Sequence, residues 1–177
     1  MENTDGFKKI AFTDFEMSGL DPCKHEILEF GVIVANIETL EIVARMDKKV
    51  KPEHLSTADP DSLAFMGYKE ENWRDAISLK QALEEYTKLT DGALYAGWVL
   101  AIDWVFLRHA YQALNMPFTL DYHAFDIMPL CYEKFGILKL SKVCDHLGIP
   151  REPMPHRAIN GAEKAYEVYK KLREISV

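Results

Sequence analysis

The chain has 177 residues, 48% apolar and 28% charged, with a formal net charge of −7. That length and balance suit one soluble globular domain, expected over residues 1–177 with its core at about 8–172. The acidic charge argues against gripping nucleic acid by bulk electrostatics. It leaves open contact with a phosphate through metal ions, which reverse the local sign.

No apolar run reaches the length of a membrane span, and "MENTDGFKK" lacks the apolar core of a signal peptide. Three cysteines, Cys23, Cys131 and Cys144, with no C-x-x-C spacing, suggest neither a disulfide framework nor a zinc site. A reducing, cytoplasmic location is the expectation. The basic clusters Lys8-Lys9, Lys48-Lys49-Lys51 and Lys170-Lys171-Arg173 each fit solvated surface charge.

In chain order, "KKIAFTDFE" alternates between Gly6 and Gly19 and predicts a strand. "EILEFGVIVANI" and "TLEIVARMDKKV" predict two more, and the short "NIETLE" between them predicts an antiparallel hairpin. Residues 51–77 read as loop with short helices. "SLKQALEEYTKLTDG" reads as a helix from N-cap Ser78 to a stop at Gly92. "ALYAGW" reads as a buried strand, "DWVFLRHAYQALNMP" as an amphipathic helix closed by Pro117, and "YHAFDIM" as a fifth strand. "LSKVCDHLGIP" and "HRAINGAEKAYEVYKKLREI" predict the last helices. Three strands followed by alternating strands and helices give an α/β domain with a mixed sheet.

Asp14 and Glu16, in "FTDFEMSGLDP", share one face of a strand by their i, i+2 spacing. Two carboxylates amid Phe12, Phe15 and Met17 need compensation from cations, and Mg²⁺ prefers such oxygen ligands. A pair on a solvated strand edge has the same spacing. Asp103, in "AGWVLAIDWVFLRHA", is embedded in apolar residues; it reads as an N-cap for the next helix, compatible with facing a site at the strand's end. His156 follows the proline-rich "IPREPMPH". It reads as a group able to take a proton from water, or as a surface or helix-cap histidine.

Together, "FTDFEMSGLDP", "IDWVFL" and "HRAINGAEKAY" resemble, in order and spacing, the motifs of the DEDDh 3′-to-5′ exonucleases, the family of ribonuclease T, oligoribonuclease and polymerase proofreading subunits. The resemblance runs from about Lys8 to about Leu172. It implies a ribonuclease H-like α/β fold, a five-stranded mixed sheet with helices on both faces. It implies Asp14 and Glu16 as metal ligands, Asp103 supporting the metal site and His156 as general base. It also implies Met17 and the apolar wedge Leu20 at the substrate's 3′ end.

The implied cofactors are two Mg²⁺ or Mn²⁺ ions, which stabilise attacking and leaving oxygens of a phosphodiester. The implied partner is the 3′ end of single-stranded RNA or DNA, cut to nucleoside monophosphates, and relatives suggest a homodimer. Phe65 and Tyr68, in the irregular "SLAFMGYKEENW", are the expected exposed aromatic pair for stacking on bases. Phe15, Trp73, Trp98 and Trp104 are expected mainly in the core.

The sequence departs from the family at Gly161. Five residues after the histidine the family carries its fourth acid, and glycine supplies no ligand there. Activity is therefore expected to be impaired or absent, unless water fills the gap. Asn160 and Glu163 lie about 100° and 200° away around a helix, so they face elsewhere. Trp98 and Val99 also replace a His-Asn pair often found before the second motif. The alternative is a catalytically inactive module on the same fold that binds nucleic acid or a protein partner. A third reading, an unrelated α/β protein with structural acids, conflicts with the co-occurrence of Asp14, Glu16, Asp103 and His156.

Overall fold

A computed structural model describes residues 6–175. Residues 1–5, part of the stretch read against a signal peptide, and residues 176–177 lie outside the described residues. Five strands form one sheet: β1 (Lys9–Met17), β2 (Ile27–Asn36), β3 (Ile42–Lys49), β4 (Ala93–Gly97) and β5 (Ala124–Asp126), in the order β3-β2-β1-β4-β5. β2 is antiparallel to β1 and β3, whereas β4 is parallel to β1 and β5. The fold is thus the expected mixed α/β sheet, with β1 central.

The helices are α1 (Pro60–Phe65), α2 (Leu79–Thr90), α3 (Leu100–Ala113), α4 (Met128–Phe135), α5 (Leu140–Leu147) and α6 (Ala158–Ile175). Alternation along β1 assigns its faces. Ala11 and Phe15 pack with Tyr86 of α2 and with Phe106, Leu107 and Tyr111 of α3. Ile10 and Phe12 pack with Cys131 of α4, Val143 and Cys144 of α5 and Ala162 and Val168 of α6. Asp14 and Glu16 continue this second row, so the carboxylates emerge where the apolar face of α6 runs out.

Two expectations are corrected, and one helix is added. The helix expected from Asp103 begins at Leu100, because Asp126 Oδ1 and Oδ2 accept from Val99 N (3.1 Å) and Leu100 N (3.2 Å). Asp103 is therefore not an N-cap. The segment after β5 contains α4, whose start Asp126 also supports by accepting from Met128 N at 3.0 Å. Tyr68 is not exposed like Phe65: its ring lies 4.7 Å from that of the buried Trp73. By contrast, Ser78 caps α2 as expected, accepting from Gln81 N at 3.2 Å.

α6 docks unusually close to the sheet. A Cβ on Gly31 would overlap the Ala158 backbone, so only glycine lets the helix start rest there. Gly31 pairs with Asp14 across the β1–β2 ladder. The same close approach therefore brings α6 over the first carboxylate.

Candidate active site

The site lies at the C-terminal end of β1, where open α/β sheets place their ligands. A cleft of about 730 Å³ is lined by Asp14, Glu16, Phe65, Trp98, His156 and Gly161, with residues of α5 opposite. The fold thus brings together six residues from four distant stretches of the sequence. Met17 and Leu20 line a neighbouring cleft of about 320 Å³ that shares Phe15, Glu16 and Phe65. Leu20 is 74% exposed and Phe65 49%, so both offer apolar surface to an incoming group.

Asp103 sits behind the cleft, 6% exposed, and its Oδ1 accepts from Phe15 N at 3.0 Å. It thereby ties the start of α3 to the strand segment that carries both acids. Val99, at the turn before α3, is 40% exposed with a left-handed φ of 56°.

Two acids were not singled out from sequence. Glu29 is fully buried opposite Glu16 on β2; Arg157 Nε donates to its Oε2 at 2.8 Å and Ala158 N to the same oxygen at 3.3 Å. Arg157 also reaches Asp47 at 3.0 Å. Glu152 lies 3.0 Å from His156 Nδ1 through Oε2 and accepts from Arg157 N through Oε1 at 3.2 Å. A charged residue inside the apolar run of β2, and the i, i+4 spacing of Glu152 and His156, were the available signals.

The electrostatics follow from crowding. Burial raises Asp14 well above the ordinary carboxylate range, and the neighbouring Asp103, Glu16, Glu152 and Glu29 add to this. Burial, then Glu152, Glu29 and Asp103, push Glu16 up to about 8, while Arg157 pulls the other way. Burial pushes Asp103 up to about 7 against the hydrogen bond from Phe15. Arg157 is already engaged by Glu29 and Asp47, and of the basic residues lining the cleft Arg151 pairs with Asp145 and Lys164 with Glu167. An oxygen donor set of this charge suits a hard divalent cation.

On the last helix, Glu163 faces away and pairs with Arg45, as its angle around the helix predicts. Gly161 is buried against Asp14 and supplies no donor atom.

The model of an exonuclease family, RNase T, matches residues 11–169. The chain belongs to the RNase T exonuclease family. Several solved structures share the fold of this exonuclease-family chain. The nuclease domain of 3′hExo, a DEDDh family member bound to rAMP, is 20% identical, with 96% of this chain and 94% of that one covered and a TM-score of 0.78. E. coli Exonuclease I in complex with a 5cy-dT13 oligonucleotide is 15% identical, with 94% and 41% covered and a TM-score of 0.80. Cell-death related nuclease 4 (CRN-4) is 14% identical, with 96% and 64% covered and a TM-score of 0.77. The chain thus spans less than half of Exonuclease I. Among curated protein sequences none matches the chain. No helix among the described residues is long and apolar enough to cross a membrane.

Proposed function

We propose that the chain is a single metal-dependent 3′-to-5′ exonuclease domain acting on single-stranded nucleic acid, with cleavage weakened by Gly161. The observation that carries this reading is the half-buried carboxylate pair at the end of β1, Asp14 and Glu16, with the buried Asp103 behind them, beside His156. Asp14 and Glu16 would hold the divalent ions, Mg²⁺ or Mn²⁺, and Asp103 would fix the strand that presents them. Bound there, such ions neutralise charge on the phosphodiester and its leaving oxygen.

The protein's own groups do the rest. His156 takes a proton from the attacking water. The water oxygen bonds to phosphorus, the bond from phosphorus to the 3′ oxygen breaks, that oxygen takes up a proton from solvent to leave a 3′ hydroxyl on the shortened strand, and a nucleoside 5′-monophosphate leaves. Leu20 and Phe65 pack on the terminal bases, and the backbone at Met17 holds the 3′ end. Gly161 removes the donor that the family places on α6, which weakens cation binding more than strand binding. A homodimer remains part of the proposal through the family alone.

The test is a 5′-labelled oligonucleotide, as RNA and as DNA, incubated with Mg²⁺ or Mn²⁺. The protein is used as it stands, as Gly161→Asp, and as Gly161→Asp with Asp14→Ala. A 3′-shortening ladder that appears with Gly161→Asp and vanishes with Asp14→Ala is the expected result. A folded, metal-binding Gly161→Asp protein that cuts neither strand overturns the nuclease reading and favours a binding module.

A further inference from the structure

We infer that Glu152 is a positioning residue for His156, fixing its imidazole as the Nδ1–H tautomer with the Nε2 lone pair free; this rests on the reading of His156 as the group that takes a proton from water. A neutral imidazole donates at one nitrogen and accepts at the other, so a partner at one nitrogen decides the chemistry of the other. His156 Nδ1 lies 3.0 Å from Glu152 Oε2. An ionised carboxylate only accepts, so the shared proton belongs to Nδ1.

Glu152 is itself held. Its other oxygen accepts from Arg157 N at 3.2 Å, and its side chain is 13% exposed. The ring is fixed from a second direction by Phe65, stacked at 3.9 Å with 17° between the planes. The backbone joins the same elements, since His156 N donates to the Phe65 carbonyl at 3.2 Å. One edge, one face and the backbone of His156 are therefore engaged, and Nε2 is the nitrogen left for a proton. An oxygen of Glu16, an oxygen of Glu152 and a nitrogen of His156 lie within 4.8 Å of one another, so the pair abuts the proposed cation site.

The first measurement is a long-range ¹H–¹⁵N correlation spectrum of the metal-free protein, at a pH where the ring is neutral. His156 is assigned by its loss in His156→Gln. The expected spectrum has protonated Nδ1 and unprotonated Nε2, reversing in Glu152→Ala. Protonated Nε2 in the unaltered protein overturns the proposal, whatever happens to the folding of the variant. An Nδ1–H tautomer that persists in a folded Glu152→Ala protein also overturns it.

Kinetics add a readout in the Gly161→Asp background. Glu152→Ala is expected to lower kcat about 10–100-fold, the usual loss for an orienting partner, with KM unchanged and the Mn²⁺ affinity read by EPR falling far less than in Asp14→Ala, since only a nearby charge is lost. A fall in Mn²⁺ affinity as large as that in Asp14→Ala makes Glu152 a ligand and overturns the assignment. If Gly161→Asp cuts nothing, the nuclease reading fails, while the tautomer spectrum still decides the role of Glu152.

Discussion

The carboxylate of Asp14 stands where a side chain on Gly161 would begin. A Cβ built on Gly161 overlaps Asp14 Oδ2 and comes within 2.7 Å of its Cγ. The atoms in the way are the end of a side chain, so Gly161→Asp is accommodated by rotation of Asp14. Replacing a helical glycine gains under about 1 kcal/mol, but a further carboxylate beside buried acids costs more. Gly161→Asp is expected to lower the stability of the metal-free protein by about 1–3 kcal/mol. Millimolar Mn²⁺ should recover most of that loss. Thermal unfolding with and without Mn²⁺ reads both; equal stability in EDTA contradicts the packing described here.

Stability should fall as pH rises in metal-free buffer. Burial and neighbouring acids push Glu16 up to about 8 and Asp103 up to about 7 in the folded protein, against 4.5 and 3.8 for the free groups, and burial also raises Asp14. Between about pH 4 and pH 8 the folded state therefore holds protons that the unfolded chain has released. Stability from these groups is fully present at the acid end of that window and declines on the way up. The protein is therefore expected to be less stable at pH 8 than at pH 5, and divalent cations should flatten the decline. Unfolding curves in urea at pH 5 and pH 8, each in EDTA and in Mg²⁺, provide the check.

Arg157→Ala leaves Glu29, at 0% exposure, without its ion-pair partner. Removing one partner of a buried pair costs about 3–5 kcal/mol. Glu29→Gln, which keeps acceptors and shape, is expected to cost less. Chemical denaturation of the two variants separates them; equal losses contradict a buried ion pair at the start of α6.

Gly31→Ala should undock the start of α6, because the added methyl meets the Ala158 backbone rather than a movable side chain. Overpacking of this kind costs about 1–3 kcal/mol and occasionally more. Hydrogen exchange is expected to accelerate across residues 158–165 before it does in α2. Unchanged exchange there contradicts the close contact.

Phe65→Ala should weaken binding of a short single-stranded oligonucleotide. Stacking of a base on an aromatic side chain is worth about 1–3 kcal/mol, or roughly 5–150-fold in Kd. Fluorescence anisotropy with the protein as it stands tests this without cleavage. An unchanged Kd removes Phe65 from the binding surface.

Much of the fold was legible because local chemistry and global packing agree. The apolar stretch of β1 between Gly6 and Gly19, the apolar run of β2 and the Ser78 cap each specify their element without distant help. The i, i+2 spacing of Asp14 and Glu16 fixed a common face before any neighbour was known, and motif order pointed to the exonuclease family. The start of α3 was not legible, since the acid that holds it is Asp126 from another strand. Glu29 has the same cause: its meaning depends on Arg157, which only the docking of α6 brings near, whereas Glu152 lies four residues before His156 and its meaning is local. Sequence determined the pattern of strands, the shared face of two carboxylates and the missing side chain at Gly161. Tertiary structure decided which charges meet, because burial and Coulomb interactions depend on distances through space, and those are set by how closely α6 rests on Gly31.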